Sequence, residues 1–279
     1  MIHRINFKHI TIYPMRKKIL SATKKTYATV FFIFISTLPI SGREVPVNHI
    51  SASIHISTPI HISAPINIST PGITTVAYKN VPRYDSLALG NAGLSKDAYE
   101  VAVRGFDSLR SAGILHNEKI LSIVDFSLPS FKKRLFVIDI ESGKIIYNTF
   151  VSHGRNSGKE MATLFSNKSH SYQSSLGFFI TGETYRGHHG YSLRLQGMEE
   201  GINDNAFSRG IVIHAARYVN EMAALKEGTI GRSEGCPAIP VDIHRAIIDE
   251  IKNGTCLFVY GSDKHYFSRS KFVQKLRMV

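Results

Sequence analysis

The chain has 279 residues, 43 % of them hydrophobic, with 34 Lys/Arg against 21 Asp/Glu, a formal charge of +13 and two cysteines. The charge sits at the ends: residues 1–45 carry eight basic residues and one acid, residues 264–279 carry five and none, and residues 46–263 carry 21 and 20. A nucleic-acid surface needs its basic residues on the folded body, so the composition argues for one neutral globular domain with basic ends and against nucleic-acid binding.

Residues 1–25 are basic, and no charge follows Lys25 until Arg43. An apolar run at 28–35 ends before Pro39, which is the layout of a secretory signal and short for a membrane span. Residues 1–45 are therefore expected to be a signal peptide, with an uncleaved N-terminal membrane anchor as the alternative. Three hexads ending in Pro59, Pro65 and Pro71 follow. Proline at every sixth position denies the stretch a continuous helix or central strand, so 46–83 reads as an extended Ile/His/Ser/Pro linker. Its evenly spaced histidines do not converge on a metal when the chain is extended.

A folded domain is expected over 84–263, with 264–279 as a basic tail. Ser95 predicts an N-cap for a helix from 96 to about 110, whose Tyr99, Ala102, Val103, Phe106 and Leu109 recur at helical spacing. These are core residues and form no cofactor motif; the chain calls for no cofactor. Strands are expected at 120–126, 134–140 and 144–151, the last two joined through Glu141-Ser142-Gly143. Further strand-like runs lie at 176–181, 192–195, 210–214 and 256–260, and a helix at 241–252 turns Ile243, Ile247, Ile248 and Ile251 inward. The fold class is α+β and mainly β. Its longest irregular stretch, 152–175, is of a length that is usually functional or disordered.

The chemistry centres on Gly231-Arg232-Ser233-Glu234-Gly235-Cys236-Pro237-Ala238, downstream of the strand that ends at His214. A thiol in a glycine-flanked turn with a histidine to take its proton is the minimum for cysteine nucleophilic catalysis. In a period-2 strand His214 shares a face with Val212, opposite Ile211 and Ile213, so it need not face the core. Pro237 biases Cys236 away from helical angles and has no N–H to offer. The expected oxyanion donors are thus the Gly235 and Cys236 amides, with Ser233 as a third contributor. Cys256 alternates with Phe258 and Tyr260 and packs. A disulfide would consume the nucleophile, so both thiols are expected to be free. A zinc reading through His188, His189, His214 and Cys236 lacks HExxH-type spacing.

These residues resemble a known family. His214, then eighteen residues, then Ser233-Glu234-Gly235-Cys236 is similar to the catalytic signature of murein L,D-transpeptidases of YkuD-like fold. The stretches 152–158, 165–167, 174–178 and 231–238 extend the likeness. It implies a β-sandwich-like catalytic domain with flanking helices, in an exported protein of the periplasm or cell envelope, acting on peptidoglycan stem peptides. Cys236 would attack the third stem residue, release D-alanine and pass the thioester to an amine, giving a 3-3 crosslink. His214 would be the base, with Ser233 and Gly235 shaping the turn. Two alternatives stay open: an L,D-carboxypeptidase that uses water, and a wall-binding module without chemistry. Substrate-binding roles are expected for Arg232, His153, Ser175, His189 and Arg194. The resembled family has an arginine two residues after the cysteine where this chain has Ala238; Arg232, Arg194 and Arg209 are the candidates to replace it.

Overall fold

A computed structural model describes residues 81–274, so the readings of the N-terminal signal and most of the linker, and of the last five residues, lie outside the described residues. After a 3₁₀ turn at Tyr84–Leu87, the elements are α1 (Lys96–Ser111), β1 (Ile120–Asp125), β2 (Leu135–Asp139), β3 (Lys144–Thr149), β4 (Gly177–Gly187), β5 (Gly190–Gly197) and β6 (Val212–Ala215). Then come α2 (Glu221–Glu227), β7 (Ala238–Ile239), α3 (His244–Ile251), β8 (Cys256–Tyr260), α4 (Lys264–Arg269) and α5 (Lys271–Gln274). The protein is α+β and mainly β. Among the described residues no helix is long and apolar enough to cross a membrane.

All eight strands join in one sheet of order β3-β2-β1-β8-β4-β5-β6-β7. The β1–β8 and β6–β7 pairs are parallel and the others antiparallel. β1 and β8 are buried along their whole length. This is why both read as unbroken apolar runs rather than as alternating patterns.

Helix α1 starts where Ser95 accepts the Ala98 N–H and packs on β1 and β8 through Ala98, Tyr99, Ala102, Phe106 and Leu109. Gly105, a poor helix former, has a packing reason here. A Cβ on it would lie 1.9 Å from the Phe178 ring of β4, and that ring is stacked on Phe258 at 4.3 Å.

Residues 264–274, expected to be part of a tail, form α4 and α5 and complete the core. Tyr266 is buried and Phe272 packs against Phe178. The anchor is Glu199, buried after β5, which accepts from the Phe178 N–H at 2.8 Å, the Tyr266 hydroxyl at 3.1 Å and the Ser270 hydroxyl. The basic residues of this segment lie on the helices' outer faces; Lys271 is 83 % exposed.

The runs expected at 176–181 and 192–195 are parts of one long hairpin, β4–β5, with a register irregularity between Thr181 and Thr184. Its turn at 188–189 carries His188 and His189. That extension places an exposed loop over the far edge of the sheet, where the site lies.

Candidate active site

Cys236 sits in the turn that leads into β7. Parallel pairing sets His214 of β6 opposite Ala238, so the residue two before Ala238 falls beside Val212, two residues before His214. One register therefore delivers both side chains to the same sheet end. Ala238 is fully buried in a small apolar cluster with Phe150 and Ile230, so this position gives a long charged side chain no outlet to solvent.

The turn is braced on three sides. The Ser233 hydroxyl donates to the Cys236 carbonyl at 2.6 Å and accepts the Gly235 N–H at 3.1 Å. The Ser233 N–H donates to the His153 carbonyl at 2.9 Å and the Arg155 N–H to the Ser233 carbonyl at 2.7 Å, forming a parallel bridge between the long loop and the turn. The Ser174 hydroxyl, which accepts the Gly154 N–H, donates to the Gly235 carbonyl at 3.2 Å. Gly235 itself has φ +125°, and a Cβ there would lie 2.8 Å from the Gln173 carbonyl. Only glycine fits that conformation and that approach.

This bracing corrects the expected oxyanion donors. The Gly235 N–H is occupied by Ser233, and the Ser233 hydroxyl is aimed at a carbonyl. Of the three expected donors, the Cys236 N–H is the one that has no protein partner among the described residues. The stretch expected to be irregular, 152–175, is the outer wall of the site, held by scattered side-chain and backbone bonds rather than by a continuous ladder.

Both cysteines are free. The thiol of Cys236 donates to the Gly210 carbonyl at 3.6 Å. Burial pushes it above the ordinary thiol range, a backbone hydrogen bond from Val212 and the charge of Arg209 pull it down, and Glu234 pushes it up. Cys256 is fully buried and its thiol is held up by burial alone.

His214 is 3 % exposed. Its Nδ1 lies 3.0 Å from the Ala215 carbonyl, and a carbonyl can only accept, so the neutral ring carries its proton on Nδ1 and leaves the Nε2 lone pair free of that bond. Burial lowers its pKa; the Ala215 bond raises it and His189 lowers it. A raised thiol and a lowered imidazole both favour the neutral form at rest.

His189, in the β4–β5 turn, stacks on His214 with centroids 4.1 Å apart and planes at 21°. His188 tilts against His189 at 5.0 Å. Among the described residues no three His, Cys, Asp or Glu side chains are arranged to hold a metal ion.

The remaining expected residues divide. Ser175 is buried, donates to the Ser166 carbonyl at 2.8 Å and accepts from Arg209 at 2.5 Å. Arg232 is exposed and donates to the Arg155 and Gly158 carbonyls at 3.3 and 3.0 Å. Arg194 shares a strand face with Val212 through their register, pairs with Glu183 at 2.9 Å and lies over the Tyr185 ring.

His153 is 0 % exposed. Its Nδ1 accepts from buried Arg134 at 2.7 Å and its Nε2 faces the Gly158 carbonyl at 3.2 Å, so both nitrogens are engaged within the protein. Burial, Arg134 and Arg232 push its pKa down to about 4 against the Gly158 bond. Its side chain supports the loop whose carbonyl holds Ser233.

Three further residues contribute: Gly210 and Tyr218, which carry no sequence signal, and Arg209, one of the three arginines the sequence offered without a local feature to single it out. The Gly210 carbonyl accepts the hydrogen bond of the Cys236 thiol. Tyr218, after β6, packs its ring where a Cβ on Gly231 would lie, at 2.6 Å. Burial raises its hydroxyl pKa, and the Cys236 charge adds to that. Arg209 lies at the Gly235 turn: a Cβ on Gly235 would be 3.5 Å from its Nη2.

Fold and site together define a mainly β protein with a thiol and an imidazole fixed at one end of the sheet. Residues 90–260 match the model of the L,D-transpeptidase catalytic domain family, and the chain belongs to that family. No curated protein matches it. Similar solved structures include an L,D-transpeptidase from Mycobacterium smegmatis (13 % identity, TM-score 0.32, 51 % of this chain and 59 % of that one). The helical cell shape determining protein Pgp2 from Campylobacter jejuni gives 15 % identity and a TM-score of 0.34, over 56 % of this chain and 51 % of that one. L,D-transpeptidase 3 from Mycobacterium tuberculosis in complex with a faropenem-derived adduct gives 13 % identity and 0.33, over 51 % and 60 %. The chain thus spans between half and two thirds of the length of these structures.

Proposed function

We propose that the chain is a cysteine-dependent peptidoglycan L,D-transpeptidase that forms 3-3 crosslinks. The observation that carries this is the placement of His214, with Nε2 free of its Nδ1–carbonyl bond, and of Cys236, in a turn tied by Ser233, at one sheet end. The sulfur attacks the carbonyl of the third stem residue while His214 takes the thiol proton. The same proton then goes to the departing D-alanine amine, leaving a thioester on Cys236. An amine of a neighbouring stem attacks the thioester, loses its proton to His214 and restores the thiol. The Cys236 N–H faces the oxyanion of both tetrahedral intermediates.

The N-terminal residues 1–45 are proposed to direct export to the cell envelope. Protein recovered from the envelope is expected to lack about forty N-terminal residues, as a cleaved signal requires; an intact N-terminus would establish an anchor instead.

The test of the activity is incubation with purified stem peptides and mass spectrometry of the products, comparing the protein with Cys236→Ala. Dimers joined 3-3 are expected. Tetrapeptides trimmed to tripeptides would establish a carboxypeptidase, and no Cys236-dependent product would overturn both enzyme readings.

A further inference from the structure

Arg209, in the loop that precedes β6, is half-buried and has four hydrogen bonds. Its Nη1 donates to the Ser166 carbonyl at 2.7 Å and the Ser175 hydroxyl at 2.5 Å; its Nη2 donates to the Ser171 hydroxyl at 3.2 Å and the Gln173 carbonyl at 2.8 Å. Every one of these partners is neutral. Among the described residues no carboxylate stands within ion-pair distance of it, whereas Arg155 pairs with Glu234 and Arg194 with Glu183.

Withdrawing a guanidinium from water without a counter-charge is costly, and a position that keeps one fits a negative charge that is not permanently present. The four bonds fix the fork against the turn, with Nη2 at 3.5 Å from where a Cβ on Gly235 would stand, one residue before the thiol. The negative charge nearest to hand is the one that develops on Cys236.

We propose that Arg209 is the positioning residue that stabilises the Cys236 thiolate, while its four hydrogen bonds hold the 166–175 wall at the correct distance. This assignment rests on Cys236 being the nucleophile. The other groups around the thiol are Glu234 on its own turn, which opposes ionisation, Tyr218 from the segment after β6, and His214 of β6 with His189 stacked on it. Arg209 is the cation of this set that sits at the turn. Ala238 offers no second cation from β7.

The test is the pH dependence of iodoacetamide alkylation of Cys236 in the intact folded protein, read by mass; buried Cys256 stays unlabelled. Arg209→Met should move the alkylation midpoint up by about one pH unit, the size expected for loss of a nearby opposite charge. Arg209→Lys, which keeps the charge and loses the fork, should recover most of that shift.

The double variant Ser171→Ala, Ser175→Ala weakens the wall and leaves the charge, so it should lower the unfolding temperature and leave the midpoint in place. If Arg209→Met does not fold, Arg209→Gln, which also removes the charge but keeps an amide to hydrogen-bond the wall, takes its place: the same upward shift is expected, and an unchanged midpoint overturns the proposal. An unchanged midpoint in Arg209→Met overturns the proposal, as does a midpoint in Arg209→Lys raised as far as in Arg209→Met. A rise in KM with no change in midpoint would assign Arg209 to a substrate carboxylate and overturns it too. Because alkylation needs no stem peptide, failure of the transpeptidase reading would show as absent crosslinks with these midpoints intact.

Discussion

Replacing Ser233 by alanine tests how the turn holds Cys236, the proposed nucleophile. The substitution removes one hydroxyl that makes two bonds, to the Cys236 carbonyl at 2.6 Å and from the Gly235 N–H at 3.1 Å. Each is worth about 1 kcal/mol net, and a buried N–H left unpaired costs about 1–3 kcal/mol more. The loss therefore totals about 3–5 kcal/mol, all within the three residues that hold the sulfur. Gly235 cannot relax toward the loop, since the Gln173 carbonyl closes that side. The turn must open on the Cys236 side. Displacement of a reacting group by about 1 Å costs about 100-fold in rate, so kcat for stem-peptide turnover should fall by roughly that factor, with a smaller change in KM. Thermal unfolding should report a drop of roughly 6 °C or more, on the scale of about 2–4 °C per kcal/mol for a domain of this size. Wild-type kcat together with a wild-type unfolding temperature in Ser233→Ala would refute the bracing argument.

Other perturbations probe the core, the loop and the base. Gly105→Ala ought to stabilise an ordinary helix by about 1 kcal/mol, yet its Cβ would meet the Phe178 ring, so net destabilisation of about 1–3 kcal/mol is expected; a higher unfolding temperature would show that α1 does not pack as closely as described. His153 is held near a pKa of about 4 against an ordinary value of 6.5. Between those values the unfolded chain binds more protons than the native one, so stability falls as pH drops through that window, by up to about 3 kcal/mol. His153→Gln should flatten the acid limb of unfolding temperature against pH, and an unchanged limb would remove His153 as its cause. His189→Ala uncovers His214 and removes a neighbour that lowers its pKa. The His214 pKa then rises, so more alkaline conditions are needed to free the base, and the acid limb of the pH–rate profile should move to higher pH; a limb that stays in place would show that the stack does not tune the base.

Much of the scaffold was legible because local rules decided it. Ser95 caps α1 as its side chain and spacing require, and Gly143 at φ +69° turns β2 into β3. The apolar runs of β1, β2 and β8 are strands because each is buried. Legibility failed where a distant contact overrode local composition. Residues 182–187 look polar but continue β4, because β5 supplies their ladder. The basic segment 264–274 looked like a tail and is helical, because Glu199, about seventy positions away, binds Ser270 and Tyr266. α2 was missed although its Asn220 cap and Gly228 terminator are present, since seven residues with one buried side chain carry little periodicity.

At the Cys236 turn the division is sharper. Residue identity alone determined that Cys236 stands between a glycine and a proline, that Pro237 offers no N–H, and that a histidine ends a strand upstream; each is a property of one side chain or one peptide bond. Only the tertiary structure decided which amide stays free, because the Gly235 N–H is taken by a hydroxyl two residues back. Only it separated Arg209 from Arg194 and Arg232, since the three differ in which atoms surround them and not in chemistry. It also buried His153, which the sequence had offered for substrate binding, and set His189 on His214. Hydrogen-bond partners and burial arise from segments far apart in the chain, and no local pattern encodes them.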